Sequence, residues 1–220
     1  MRIQLNLVLL GKVSWLLLGL SGCAARPPRE TGPFRPSDLV ELVTLDPTIA
    51  LDIRYATPRN FIGRAVYAEA RAFLQRPAAE ALGRANRELR PLGFRLLVFD
   101  GYRPWRVTKL FWDLTPAANR QFVANPARGS RHNRGCAVDV SLLDLATGQP
   151  VAMPSEYDET TDRAATAYAG GTAQQRAARD LLKTVMERHG FANYAVEWWH
   201  YDYQDWRQYR LQDVPFARIR

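Results

Sequence analysis

Two short runs, Ser130-Arg-His-Asn-Arg-Gly-Cys-Ala-Val-Asp139 and Glu197-Trp-Trp-His200, hold two of the three histidines, each near a carboxylate. The runs are far apart in the chain, so a shared site requires a fold that returns the second against the first. A zinc-type hydrolase needs about three N, O or S ligands, an open position for water and a carboxylate to move protons. His132, Asp139 and His200 can be the ligands, with Glu197 as the base.

The local patterns constrain how this would work. Gly135 lets the chain bend between His132 and Asp139. In the strand that follows, Ala137, Asp139 and Ser141 share one face, and Val138, Val140 and Leu142 the other. Glu197 and His200 are three apart, and the surrounding Tyr, Val and Trp residues favour a strand. Ideal alternation would put them on opposite faces, so a bulge or the strand's end has to bring them together. Singly, Asp139 reads as a structural carboxylate, Glu197 as a surface acid, and Trp198 and Trp199 as core. Together the set points to metal-assisted chemistry. His189, before Gly190 at a helix C-terminus, reads as structural. Arg103 lies in the turn Asp100-Gly-Tyr-Arg-Pro104. It could stabilise an oxyanion, or simply pair with Asp100.

At 220 residues the chain suits one domain with a real core, and 24% charged and 47% hydrophobic residues exclude a disordered protein. No internal repeat is present. The net charge is +8, but the arginines are scattered and mixed with acids. No basic run interleaves with aromatics, which argues against nucleic acid as a partner. A solvated basic surface, or an anionic envelope polymer as neighbour, fits the charge.

Residues 1–22 carry only Arg2 and Lys12 as charges, with an apolar run from Val13 to Leu20. That run is too short to span a bilayer and suits a signal-peptide core. Leu20-Ser21-Gly22-Cys23 resembles the bacterial lipobox, in which the cysteine is lipidated. The alternatives are a plain signal peptide or an uncleaved anchor. Ala24 after the cysteine suggests sorting to the outer membrane. On this reading the protein is anchored in the cell envelope by an N-terminal lipid, facing the periplasm. Residues 23–37, rich in Pro and Arg, read as an extended tether. The domain then occupies 38–220. With Cys23 lipidated, Cys136 has no partner and reads as a small buried hydrophobe rather than a ligand or nucleophile.

Along the domain, Leu42 to Tyr55 reads as extended, interrupted at Pro47. A helix starts at Arg76-Pro77, with Ala78, Ala81, Leu82, Ala85, Leu89 and Leu92 as its apolar stripe, and closes at Pro91 and Gly93. Phe94 to Phe99 is a strand, Trp105 to about Asn119 a helix, and Ala137 to Leu143 a strand entering a turn at Thr147-Gly148. A loop covers 150–172. A helix follows at Ala173 to Arg188 with Gly190 as its stop, and a final strand at Tyr194 to Tyr203. Strands and helices do not alternate strictly. The pattern therefore predicts a single α+β domain with a central, mainly antiparallel sheet flanked by helices.

These residues match a known family. Ser130–Val140 resembles the SxHxxGxAxD motif, and Glu197–Tyr201 the ExWH motif, of the VanX-type zinc D-Ala-D-Ala dipeptidases. Asp100–Pro104 resembles the family's catalytic-arginine turn. Asp52–Thr57, Asn60–Gly63, Met153–Asp158 and Asp213–Phe216 look like the dipeptidase branch. The resemblance spans about residues 38–218. It implies one zinc ion on His132, Asp139 and His200, with Glu197 as general base then acid. It also implies Arg103 on the tetrahedral intermediate and Ser130 at the substrate's amino end. The implied substrate is a free D,D-dipeptide in a small closed cavity. The lipobox departs from the family's cytoplasmic resistance members and shifts the expected role toward peptidoglycan turnover. The alternatives are a D,D-carboxypeptidase or peptidoglycan endopeptidase on the same site, or a non-catalytic lipoprotein that binds cell-wall fragments.

Overall fold

The computed structural model describes residues 25–219. The expected signal peptide, residues 1–22, and Cys23 lie outside the described residues. The chain order is β1 (Leu39–Glu41), α1 (Leu42–Leu45), β2 (Ala50–Leu51), β3 (Phe73–Gln75), α2 (Arg76–Leu89), β4 (Phe94–Asp100), α3 (Trp105–Leu114), β5 (Ala137–Asp144), α4 (Ala173–Arg188), β6 (Phe191–Tyr194) and β7 (Glu197–Tyr203). A five-stranded sheet runs β2-β4-β5-β7-β6, and β1 and β3 form a separate pair. Only the β2–β4 pairing in the larger sheet is parallel. The fold is therefore α+β with a mainly antiparallel central sheet, as the pattern of elements predicts.

β5 is the middle strand. From Ala137 to Leu143 every residue is buried, which is why its sequence barely alternates in polarity. α2 begins with Pro77 in its first turn and buries Ala78, Ala81, Leu82, Ala85 and Leu89. Asn86, also buried, ties this helix to the sheet by accepting from the Leu96 N–H and donating to Asp46. α4 starts at a capping box in which Thr172 and Gln175 satisfy each other's backbone N–H groups. It buries Leu182, Val185 and Met186 against the sheet and stops at Gly190, whose φ is 85°.

Several sequence expectations need correction. Leu42 to Tyr55 is not continuously extended, because one helical turn intervenes and β2 is only two residues long. Leu92 does not join the α2 stripe; Arg90–Leu92 forms a 3-10 turn that leaves it exposed. The helix from Trp105 ends at Leu114. Thr115 is extended, as a residue before proline prefers to be, and Ala117–Phe122 is a separate 3-10 segment. The final strand is a hairpin, β6 and β7, joined at Ala195 and Val196.

The described part of the Pro/Arg-rich segment, residues 25–37, has no regular secondary structure, yet it is held against the domain. The Glu30 carboxylate accepts from Arg134 at 2.6 Å and from the Leu211 N–H at 2.7 Å. Arg35 N–H donates to the Gln208 carbonyl. Among the described residues, no helix is long and apolar enough to cross a membrane.

Candidate metal centre

The sheet register builds the site. Asp139, in the middle strand, stands opposite Asp100 on β4 and opposite His200 on β7. His132 reaches the same place from the turn before β5. Gly135 ends that turn with a φ of 71°, and a Cβ there would lie 2.4 Å from Leu39 Cδ2. Both the backbone conformation and the packing thus require glycine.

Three ligand-type atoms meet. His200 Nδ1 lies 3.0 Å from Asp139 Oδ1 and 3.1 Å from His132 Nε2. His132 Nε2 lies 3.4 Å from Asp139 Oδ1. A tetrahedral ion with bonds of about 2.0–2.1 Å has ligand–ligand edges of about 3.3 Å, so this donor set fits one such ion. All three residues are at most 9% exposed.

The remaining atoms of these side chains are committed in ways that favour that use. His132 Nδ1 faces the Gly101 carbonyl at 2.8 Å, which accepts a hydrogen bond from Nδ1–H and leaves Nε2 as a lone-pair donor. His200 Nε2 faces Asp202 Oδ1 at 3.1 Å, which fixes the other imidazole the same way. Tyr157 donates to Asp139 Oδ2 at 2.9 Å, leaving Oδ1 to the centre. Burial alone would raise the Asp139 carboxyl, but His132 and His200 outweigh it and hold it well below the usual range, so it is ionised.

Glu197 Oε2 lies 3.8 Å from His200 Nδ1. The device that joins them is a bulge. Asn193 stands opposite Tyr201, and the next residue, Tyr194, opposite Glu197, so β7 carries Trp198, Trp199 and His200 without partners on β6. Burial raises the Glu197 carboxyl, and Asp139 adds to the effect against His200. A carboxyl displaced toward neutrality is suited to exchanging protons.

Arg103 forms the ion pair with Asp100 that one of its sequence readings expects. It binds Asp100 through Nε at 2.9 Å and Nη2 at 2.8 Å, and Nη2 also lies 3.9 Å from Asp139 Oδ2. Burial opposes its charge, but Asp100 holds it protonated. Ser130 is half-exposed, and its oxygen accepts from the His132 N–H at 3.2 Å. Cys136 is fully buried away from the cluster, and burial pushes its thiol up to about 12. His189 pairs with Glu88 of α2 at 2.8 Å, so it joins two helices.

Sequence reasoning missed four residues around this centre. Asp202 follows His200 by two on a strand, so shared facing was available as a signal. Tyr157 and Asp158 come from the long loop, where no periodicity points inward. Tyr55 donates to Asp158 at 2.9 Å. Burial, reinforced by Asp139, pushes the Asp158 carboxyl up to about 8. A cleft of about 400 Å³ opens beside these side chains, between Pro58–Phe61 and Glu156–Glu159. Two of the stretches that resemble the dipeptidase branch thus face each other across it.

Comparison with known proteins agrees with this geometry. The family model for Peptidase_M15, D-ala-D-ala dipeptidase, matches residues 35–217. The chain belongs to this family. It is therefore a metallopeptidase, and the cluster of His132, Asp139 and His200 can serve as its metal site. D-alanyl-D-alanine dipeptidase of Escherichia coli (strain K12) is 30% identical over 181 residues, covering 82% of this chain and 92% of that protein. The enzymes of the same name from Enterococcus faecium and Streptomyces coelicolor are 34% and 37% identical, each covering 70% of this chain and 85% of the relative. As an M15 dipeptidase, the chain retains acid–base and ligand-type side chains together, which removes the ground for a non-catalytic binding protein.

Proposed function

We propose that this M15 dipeptidase hydrolyses D-Ala-D-Ala to two molecules of D-alanine with one zinc ion held by His132 Nε2, Asp139 Oδ1 and His200 Nδ1. The observation that carries this reading is the buried triangle of ligand atoms with edges of 3.0, 3.1 and 3.4 Å and a carboxylate oxygen 3.8 Å from one corner. Two nitrogens and one oxygen are a donor set that suits zinc and leaves a position open.

Zinc, when bound, polarises the scissile carbonyl and lowers the pKa of water to about 7. The chain's own residues supply the rest. Glu197 takes a proton from the attacking water and then delivers one to the leaving amine. Arg103, kept cationic by Asp100, directs its Nη2 toward the oxyanion that develops at the carbonyl. Tyr157 and Asp202 fix the orientation of Asp139 and His200. Ser130 donates its hydroxyl at the substrate's amino end. Asp158 offers a carboxylate to the ammonium group, whose positive charge would restore the ionised form that burial disfavours.

Burial of the centre favours a small free dipeptide over a long glycan-linked peptide, which would need an open groove. The lipobox-like tetrad supports an envelope location, with lipid on Cys23 and a role in recycling dipeptide released during wall turnover. The test compares turnover of free D-Ala-D-Ala with that of a muropeptide ending in D-Ala-D-Ala. Faster hydrolysis of the dipeptide supports the reading. Preferential trimming of the muropeptide would make the protein a D,D-carboxypeptidase or endopeptidase. Mass analysis of the mature N-terminus, with Cys23→Ser as control, tests the anchor.

A further inference from the structure

The bulge that joins Glu197 to His200 leaves Trp198, Trp199 and His200 opposite no residue of β6, and buried carbonyls require donors. One side chain meets this demand. Asn193 Nδ2 lies 3.1 Å from the Glu197 carbonyl, 3.4 Å from the Trp198 carbonyl and 3.1 Å from the His200 carbonyl. Carbonyls only accept, so the amide must present its NH₂ group to β7 and its oxygen the other way. There the Thr166 hydroxyl donates to Asn193 Oδ1. The Thr166 N–H in turn donates to the Ala195 carbonyl in the hairpin turn at 3.0 Å.

We infer that Asn193, oriented by Thr166, is a positioning residue that sets the Glu197–His200 bulge in its catalytic shape. An amide suits this task because its two N–H donors can be shared among three carbonyls on one side while its oxygen accepts on the other. Aspartate has the same shape but presents only acceptors when ionised, so it would repel the same carbonyls. The segment that supplies Thr166 grips the bulge a second time, where Trp198 Nε1 donates to Ser155 Oγ at 2.9 Å. The loop between β5 and α4 thereby becomes part of the device that aims the base. Backbone at this point carries one metal-ligating and one proton-transferring side chain, and displacements near 1 Å at such a point cost about 10² in rate.

This inference rests on the assignment of Glu197 and His200 above, and its test has a readout independent of turnover. Asn193→Asp, Thr166→Val and Thr166→Ser are prepared with zinc. For each, circular dichroism, zinc affinity by chelator competition, and kcat and KM on D-Ala-D-Ala are measured. Folded Asn193→Asp is expected to lose about 10² in kcat with KM within about twofold, or to bind zinc about tenfold more weakly. Thr166→Val is expected to lose about tenfold in one of the same two quantities. Thr166→Ser, which keeps the hydroxyl, should restore both. Should Asn193→Asp fail to fold, the Thr166 pair decides. Wild-type kcat and zinc affinity in folded Asn193→Asp, or in Thr166→Val when Asn193→Asp does not fold, would overturn the inference. If the wild type binds zinc but does not cleave the dipeptide, the function fails while the affinity readout still judges the clamp.

Discussion

Asp139 and His200 stand directly opposite each other on the paired strands β5 and β7, with Oδ1 and Nδ1 3.0 Å apart. Strand register, rather than loop placement, therefore sets two corners of the metal centre. Sites on strands are held more rigidly than sites on loops, and β5 is buried along nearly its whole length.

In the proposed mechanism Glu197 moves the protons, and Glu197→Gln removes that capacity with little change in shape. The variant should keep its metal and lose about 10²–10⁴ in kcat. Steady-state kinetics with metal analysis on the same sample check this. Near-normal turnover would take Glu197 out of the mechanism.

Arg103 pairs with buried Asp100 and is the proposed oxyanion donor. Arg103→Ala should lower kcat by about 10²–10³, the usual effect of removing one oxyanion donor. It also leaves Asp100, 1% exposed, without its cation. The loss of one partner from a buried pair costs roughly 3–5 kcal/mol, which denaturant unfolding would detect. An unchanged midpoint would mean that the Asp100–Arg103 pair contributes little.

Asp202 acts through His200 Nε2. Asp202→Ala should weaken zinc binding about 10–100-fold, while saturating zinc still fills the site. Chelator competition measures the change, and wild-type affinity would show that the imidazole needs no orienting partner.

Cys136 remains a thiol at neutral and mildly alkaline pH. Its folded pKa of about 12 lies above the ordinary value, so the protonated form persists through pH 8. In the Cys23→Ser variant, a disulfide reagent at pH 8 should leave the native protein unmodified and label Cys136 only after denaturation. Rapid labelling of the native enzyme would contradict the buried assignment.

Much of the site is legible in the sequence because ligand chemistry needs particular residue types at particular spacings. His132, Asp139, Glu197 and His200 are such residues, and their convergence around one point was readable before any geometry. That a bulge or the strand's end has to join Glu197 to His200 also followed from strand parity. The residue that stabilises the bulge, Asn193, did not, because its partners are backbone carbonyls, which carry no sequence signal. Tyr157 and Asp158 were hidden for a related reason: a loop's direction depends on what it packs against. The 150–172 segment read correctly as a loop without revealing that it reaches Asp139 and the hairpin. Helices α2 and α4 were readable almost to the residue from proline, glycine and apolar spacing. The β6–β7 turn was missed because Ala195-Val196 has none of the usual turn residues.

On the proposed function, His132, Asp139 and His200 together clasp a single ion. Metal content per chain, measured on the wild type and on His132→Ala, Asp139→Ala and His200→Ala after dialysis against a weak chelator, tests it most directly. About one zinc is expected in the wild type, the occupancy of a single three-ligand site with an open position, and almost none in each variant. Full occupancy in any of the three variants would contradict it.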